Sequence, residues 1–154
     1  MLVKRDSRLK IRHLDNFAGI QRSHLTRISL GFWFLVEHFY FKTLLCPTSF
    51  RPHLLRLFGA SIGSGVLIRR GVRIHFPWNI SIGNDCWIGE EVWFINHEKI
   101  TMGSNVCVSQ RSIICSGGHD YRSISLEYSH KSVTIRDGAW ICLDAKVLPG
   151  VTIG

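Results

Sequence analysis

A solenoid of short β-strands, preceded by a mainly α-helical arm, is the fold that this 154-residue sequence predicts. Three observations lead to it. Large apolar residues recur at a fixed spacing from residue 62 onward, smaller residues follow most of them four positions later, and basic charge is concentrated in the first 60 residues. Hydrophobic residues make up 45% of the chain and charged residues 19%, which is typical of a packed domain and excludes a disordered chain. The length allows one domain plus an arm.

The arm covers residues 1–60 and carries most of the net charge. It contains 10 Lys and Arg residues against 3 Asp and Glu residues, whereas residues 61–154 contain 9 against 8. No nucleic-acid-binding motif accompanies this charge, so we do not expect nucleic acid as a partner. The basic start is not followed at once by an apolar run and a cleavage site, so we expect no cleavable signal peptide.

An apolar and aromatic stretch over residues 28–45 is the segment most similar to a membrane span. It has only eighteen residues and includes Glu37 and Lys42, whereas a span needs ~20 mostly apolar residues. Two interpretations stay open. The stretch is either a helix packed on the rest of the protein or on a neighbouring subunit, or an interfacial helix on the inner membrane surface with flanking basic side chains at lipid phosphates.

The solenoid is predicted by apolar anchor residues that repeat with spacings of six, six and eight, so that equivalent rounds start twenty residues apart. The anchors are Ile62, Ile68, Ile74, Ile82, Ile88, Phe94, Met102, Val108, Ile114, Ile135, Ile141, Val147 and Ile153. A six-residue period fits neither an α-helix nor a simple alternating strand. It fits triangular coils of three short strands, stacked at the interstrand spacing of ~4.8 Å. An antiparallel sandwich is the alternative, and the constant register of the anchors disfavours it.

Smaller residues and glycines follow the anchors at fixed positions. The smaller residues, expected where the prism is narrow, are Val66, Val72, Cys86, Val92, Val106, Ser112, Ala139, Ala145 and Val151. The glycines directly after anchors are Gly63, Gly83, Gly89, Gly103 and Gly154. We expect these glycines to serve turns that need unusual backbone dihedrals.

The register breaks once, within residues 115–134. A regular round would place the anchor after Ile114 near residue 122, but the next anchor is Ile135. The difference predicts an extruded loop, and a long loop on a rigid scaffold is a favoured position for function.

The cysteines predict neither a disulfide framework nor a metal site. Five are present, at positions 46, 86, 107, 115 and 142, and no two form a C-x-x-C pair. We expect reduced thiols in a cytoplasmic protein.

Several segments resemble the left-handed β-helix acetyltransferases. They are the hexapeptide rounds, the loop opening Gly118-His119-Asp120-Tyr121, the segment Asp137-Gly138-Ala139-Trp140 and the final Pro-Gly-Val-Thr-Ile-Gly over residues 149–154. The lead-in over residues 54–63 and Phe76-Pro77-Trp78 is similar to the colanic acid biosynthesis acetyltransferase type. The resemblance implies a left-handed parallel β-helix of hexapeptide repeats over residues 61–154, and the handedness comes from the family alone.

The same resemblance implies transfer of an acetyl group from acetyl-CoA, as co-substrate, to a sugar hydroxyl in surface polysaccharide or glycan biosynthesis, with no metal. A hydroxyl is a poor nucleophile near neutral pH, so a base must take its proton, and histidine suits this role. His119 matches the family's catalytic histidine; the alternative is a loop histidine bonded to the backbone. His75, His97 and His130 lack the motif.

Four further site residues are implied by the family. Asn96 is expected to orient the acceptor or stabilise the oxyanion, or to be only a turn residue. Asp120 either fixes the ring of His119 or caps the loop. Trp140 matches an aromatic residue near the coenzyme, or packs on the surface. Leu143 stands where relatives present a backbone amide to the pantetheine arm.

The family also implies a homotrimer in which His119 of one chain faces the coenzyme groove of the next. Relatives continue through further coils after the position of Gly154, so the chain is expected to be a fragment or a shortened protein. The alternative function is therefore a truncated, non-catalytic β-helix scaffold that associates with membrane-bound glycan-synthesis enzymes through the arm.

Overall fold

The computed structural model of the protein describes residues 24–154, so the first 23 residues of the predicted arm lie outside the described residues. The described part of the arm contains helix α1 (His24–Val36), a π-helical turn (Glu37–Phe41) and helix α2 (Arg51–Leu57). Thirteen strands follow: β1 (Ser61–Ile62), β2 (Leu67–Ile68), β3 (Arg73–Ile74), β4 (Ile80–Ile82), β5 (Trp87–Ile88), β6 (Trp93–Ile95), β7 (Ile100–Met102), β8 (Cys107–Val108), β9 (Ile113–Cys115), β10 (Val133–Ile135), β11 (Trp140–Ile141), β12 (Lys146–Val147) and β13 (Thr152–Ile153).

The strands form three parallel sheets. Sheet A has the order β1-β4-β7-β10-β13, sheet B the order β2-β5-β8-β11 and sheet C the order β3-β6-β9-β12. The chain visits A, B and C in turn, so each coil of three strands stacks on the coil before it. Equivalent anchors are direct neighbours, as in the pair Ile62 and Ile82 and the pair Ile82 and Met102. The predicted parallel β-solenoid is confirmed.

The core is a column of anchors inside the coils. Each of the thirteen anchors lies in its own strand, and all except Ile153 are buried. The smaller residues Val72, Val92 and Val106 are also buried and fill the space at the corners. One large and one small inward residue per side therefore fill the prism, because its interior narrows toward each corner.

The expectation that glycines directly after anchors adopt unusual dihedrals is wrong. Positive φ values occur three residues after an anchor instead, for example at Asp85 (54°), Glu91 (60°) and Asn105 (58°). The glycines are required for space. A Cβ on Gly83 would lie 2.6 Å from the backbone carbonyl of Gly103 in the next coil. Stacking at the distance of a β-ladder therefore excludes a side chain at that position.

The helical arm covers the open edge of the first coil. Strand β3, in the first coil, is one of the two edge strands of sheet C. The Trp33 Nε1–H donates to the carbonyl of Ile74 in β3 at 2.6 Å, and the Ile74 N–H donates to Glu37 Oε1 at 2.7 Å. Burial raises the pKa of the Glu37 carboxyl, while the hydrogen bond from Ile74 and the charges of Lys42 and Arg73 oppose this rise.

Two arginines of the arm cover the other two sheets. Arg51, only 2% exposed, donates from Nη1 to the Ile68 carbonyl at the edge of sheet B at 3.2 Å. Its Nε and Nη2 donate to the carbonyls of Phe41 and Thr43. Arg56 donates from Nε to the Ile62 carbonyl at the edge of sheet A at 2.9 Å. Backbone groups at all three edges therefore find partners in the arm.

Replacing Arg51 with methionine tests this cap. Arg51→Met keeps much of the side-chain volume but leaves three carbonyls, of Phe41, Thr43 and Ile68, without their donor. We expect the free energy of unfolding to fall by about 3–5 kcal/mol in urea denaturation followed by circular dichroism. The matched variant Arg136→Met removes an exposed arginine and is expected to change stability by less than about 0.5 kcal/mol. Equal stability of the two variants would contradict the capping role.

Candidate functional site

A cleft lies beside the long loop. The loop, residues 116–132, leaves the β-helix between β9 and β10, at the corner where sheet C leads into sheet A. The cleft has a volume of about 630 Å³, and its lining includes Cys115, His119, Asp120, Arg122, Lys131 and Pro149. A histidine, two cationic side chains and one carboxylate therefore face the same space.

The imidazole of His119 is oriented by the backbone of its own loop. His119 and Tyr128 form an antiparallel bridge, which folds the loop back on itself. The Nδ1 atom of His119 lies 2.6 Å from the carbonyl oxygen of Leu126, a residue with a positive φ of 50°. Because a carbonyl can only accept, Nδ1 must carry the proton of this hydrogen bond. In the neutral ring Nε2 then holds the lone pair that a general base needs.

A column of aromatic rings supports His119. Its ring stacks on Tyr128, with centroids 4.8 Å apart and planes inclined by 30°. The ring centroids of Tyr128 and His130 lie 5.0 Å apart, and the ring of His130 stacks on that of His97 with the centroids also 5.0 Å apart. His75 contacts His97 in turn. The three histidines that lack the motif are therefore neighbours, and Tyr128 links them to His119.

This column also holds the backbone just before His119. A Cβ on Gly117 would lie 2.6 Å from the His97 ring, so only glycine fits there. The Gly118 N–H donates to His130 Nδ1 at 3.3 Å. The sequence alone does not indicate that Leu126, Tyr128 and His130 hold His119 and the backbone before it. The loop follows no repeat from which the residues that fold back could be read.

Asp120 caps the loop. Its N–H donates to the Glu127 carbonyl at 2.8 Å, and its Oδ1 accepts from the Arg122 N–H at 2.9 Å. These bonds fit the predicted alternative in which Asp120 caps the loop. The proton at His119 Nδ1 already has the Leu126 carbonyl as its acceptor, so a role of Asp120 in fixing the ring stays a prediction.

Asn96 is fully buried at the corner one coil earlier. Its Oδ1 accepts from the Phe76 N–H at 3.0 Å, and its Nδ2 donates to the Phe76 carbonyl at 2.5 Å. The side-chain amide thus pairs with both backbone groups of one residue, as a turn residue does. Asn96 is not among the residues that line the cleft. Its predicted contact with the acceptor or the oxyanion stays a prediction.

Trp140 and Leu143 lie on a different side of the β-helix. Trp140, in strand β11 of sheet B, is 69% exposed, and its Nε1–H donates to Ser109 Oγ at 2.8 Å. Leu143 follows at the corner between sheets B and C and is also exposed. In a three-sided coil, the corner between C and A that carries His119 lies opposite sheet B. One chain therefore does not bring the predicted base and the predicted coenzyme residues together.

Metal-ligating side chains are not clustered in residues 24–154: no group of three or more His, Cys, Asp or Glu side chains there could hold a metal ion. The five cysteines, all within this range, are free thiols.

The tautomer of His119 can be measured directly. We expect neutral His119 to carry its proton on Nδ1, because the Leu126 carbonyl accepts it, and ¹⁵N-detected imidazole NMR distinguishes this form from the Nε2–H form. The variant Asp120→Asn should keep the same tautomer, since the carbonyl and not the carboxylate fixes it. A predominant Nε2–H form in the wild-type protein would contradict the assignment.

Comparison with known sequences finds related acetyltransferases. The chain is 40% identical over 104 residues to the Escherichia coli (strain K12) protein named "Putative colanic acid biosynthesis acetyltransferase WcaF", covering 68% of this chain and 57% of that protein. It is 26% identical over 108 residues to galactoside O-acetyltransferase of the same organism, covering 68% of this chain and 53% of that protein. The chain thus spans little more than half the length of these relatives. No family model matches the sequence.

Comparison with solved structures confirms the fold. The hexapeptide-repeat acetyltransferase VCA0836 of Vibrio cholerae O1 biovar eltor, complexed with acetyl coenzyme A, superposes with a TM-score of 0.77 at 22% identity, covering 92% of this chain and 78% of that one. A maltose O-acetyltransferase of Clostridium difficile 630 superposes with a TM-score of 0.68 at 21% identity, covering 84% of this chain and 71% of that one. The predicted left-handed parallel β-helix is thereby confirmed. The chain is a hexapeptide-repeat protein related to the colanic acid biosynthesis acetyltransferases.

Proposed function

We propose that this chain forms the catalytic β-helix of an acetyl-CoA-dependent O-acetyltransferase that acts on a sugar hydroxyl in surface polysaccharide or glycan biosynthesis. The observation that carries the proposal is that His119 lines a cleft with Nε2 as its basic nitrogen, since the bond from Nδ1 to the Leu126 carbonyl alone also fits the alternative of a loop histidine bonded to the backbone. Relatives that are named acetyltransferases support the same reaction class.

The chemistry needs one group that moves a proton. His119 Nε2 takes the proton of the acceptor hydroxyl while that oxygen attacks the carbonyl carbon of the thioester. The carbon–sulfur bond then breaks, and the imidazolium returns the proton to the departing thiolate of coenzyme A. Stacking on Tyr128 and the bond to Leu126 hold the ring, so little motion is needed for either transfer.

The cleft suits a hydroxyl-rich acceptor. Arg122 and Lys131 supply hydrogen-bond donors, and the carboxylate of Asp120 supplies acceptors. Tyr121, also in the lining, is exposed and offers an aromatic face to the apolar side of a sugar ring.

The coenzyme fits the exposed apolar surface of sheet B. Trp140 is held by its bond to Ser109 and lies in register above Cys107 and Trp87, so this outer face of a sheet carries two exposed indoles. Such a surface can pack against an adenine ring or a pantetheine arm. Leu143 lies three residues after Trp140 and offers its backbone amide to that arm.

The separation of His119 from Trp140 supports a homotrimer with the site between chains. The corner that carries the loop lies opposite sheet B, so His119 of one chain would act beside Trp140 of the next. Acetyl-CoA and the acceptor would then meet only in the assembled protein.

Removing the base should abolish most of the activity. We expect His119→Ala to lower the rate of acetyl transfer to a sugar acceptor by a factor on the order of 10²–10⁴, measured as release of coenzyme A with a thiol reagent. The oligomeric mass should stay the same. His53→Ala, which removes an exposed histidine on α2, is the matched control and should retain the wild-type rate.

Two outcomes would contradict the proposal. Unchanged turnover in His119→Ala would remove this histidine from the mechanism. A folded wild-type chain that binds no acetyl-CoA in calorimetric titration and transfers no acetyl group would favour the non-catalytic scaffold that associates with membrane-bound enzymes of glycan synthesis.

Mixing two inactive variants tests whether the site is shared between chains. We expect His119→Ala and Trp140→Ala chains, unfolded together and refolded at equal amounts, to recover about a quarter of the wild-type rate, because one in four interfaces then has both residues intact. Each variant refolded alone stays inactive and serves as the control. Mixed trimers without recovered activity would place both residues in one chain's site or outside the mechanism.

A further inference from the structure

Helix α1 exposes an apolar stripe to solvent. Ile28, Phe32, Leu35 and Phe39 follow one another at intervals of four, three and four residues, which places them on one face of a helix that continues into the π-helical turn. Their side chains are 59% to 67% exposed. The opposite face packs on the first coil of the β-helix, where Trp33 and Glu37 bind the backbone of Ile74.

The stripe continues into a second apolar segment. Leu44 and Leu45, just after the π-helical turn, are 78% and 72% exposed. Exposed large side chains along one consecutive segment cover more apolar area than an isolated surface leucine, and such patches mark interaction sites. Among the described residues, no helix is long and apolar enough to cross a membrane.

Basic residues flank this surface along the sequence. Arg27 is exposed beside Ile28, and Lys42 precedes Leu44. The sequence just before α1, residues 1–23, adds six Lys and Arg residues against two Asp residues. Because the whole arm carries 10 basic against 3 acidic residues, a second copy of the chain at this surface would bring two strongly positive segments together. An anionic partner relieves that repulsion.

A cleft rich in arginine begins at Leu44. It has a volume of about 410 Å³ and is lined by Leu44, Arg51, Arg69, Arg70 and Glu90, among others. Arg69 and Arg70 share one carboxylate, that of Glu90, at 3.6 Å and 3.4 Å. Arg51 is buried and bound to backbone carbonyls, so the two cations that the cleft offers are Arg69 and Arg70, against the one carboxylate of Glu90, and this excess of positive charge attracts a phosphate group.

We propose that the apolar stripe of α1, together with Leu44 and Leu45, docks the protein on the surface of an anionic lipid bilayer. The apolar side chains insert at the level of the headgroups, and the arginine cleft beside Leu44 binds lipid phosphate. The helix lies in the plane of the membrane, because its other face is bound to the β-helix. This inference concerns the arm and does not depend on acetyl transfer.

Vesicle cosedimentation with the full 154-residue chain tests the proposal. We expect strong binding to phosphatidylcholine vesicles that contain about one-third phosphatidylglycerol and at least about tenfold weaker binding to phosphatidylcholine alone. The binding to anionic vesicles should weaken at high salt, because screening reduces the attraction of the basic residues.

Three variants locate the contact. Phe32→Ser/Leu35→Ser/Phe39→Ser should weaken binding by at least about tenfold, since three large apolar side chains no longer enter the headgroup region. The matched control Trp87→Ser/Leu143→Ser/Leu148→Ser removes three exposed apolar side chains of the β-helix and should bind as the wild type does. Arg69→Gln/Arg70→Gln should reduce the preference for anionic vesicles.

Folding of each variant is checked by circular dichroism. If the triple variant of α1 does not fold, the single variants Leu35→Ser and Phe39→Ser replace it, and each should weaken vesicle binding. The proposal is overturned if the wild type ignores anionic vesicles, or if folded variants of the stripe bind as tightly as the wild type. A loss of oligomeric mass in these variants, without any vesicle binding by the wild type, would assign the stripe to a contact between copies of the chain.

Discussion

Every strand of the β-helix pairs with a strand one coil away, and this stacking at the spacing of a β-ladder is the constraint on which the structure depends. It sets the inward anchors such as Ile82 and Met102 directly above one another. It leaves no room for a side chain at Gly83, and it moves the positive φ values to positions such as Asp85. The backbone preferences of individual residues are weaker than this constraint. Glu91, a residue type that seldom adopts a positive φ, has a φ of 60° because the turn between stacked strands requires it.

The same stacking leaves an open edge on the first coil, and the arm's composition follows from the need to cover it. Trp33, Glu37 and Arg51 contribute polar atoms that bind edge backbone groups, although each is buried. Because α1 binds the coil through one face, its other face is left to solvent. Within the apolar stripe on that face, Phe32 stacks on Phe58 but stays 59% exposed, and exposed apolar patches of this kind mark interaction sites.

The loop at residues 116–132 does not follow the hexapeptide repeat, so its backbone can fold back and form the candidate site. Its backbone folds back so that the Leu126 carbonyl meets His119, while Tyr128 continues a column of rings built on the regular corner residues His75 and His97. The rigid coils position His119, and the irregular loop sets its tautomer. Because this corner lies opposite sheet B, the proposed site, which pairs His119 with Trp140, would take these two residues from different chains.

The sequence by itself determined the solenoid, its period and the position of the loop, since each depends on side-chain size at fixed intervals along the chain. It also indicated His119 through a motif. Only the tertiary structure decided which loop residues hold that histidine, that Asn96 binds the Phe76 backbone, and that the glycines after anchors serve close approach. The reason is physical: these features depend on distances between coils about twenty residues apart, and on a loop whose fold no periodic pattern encodes.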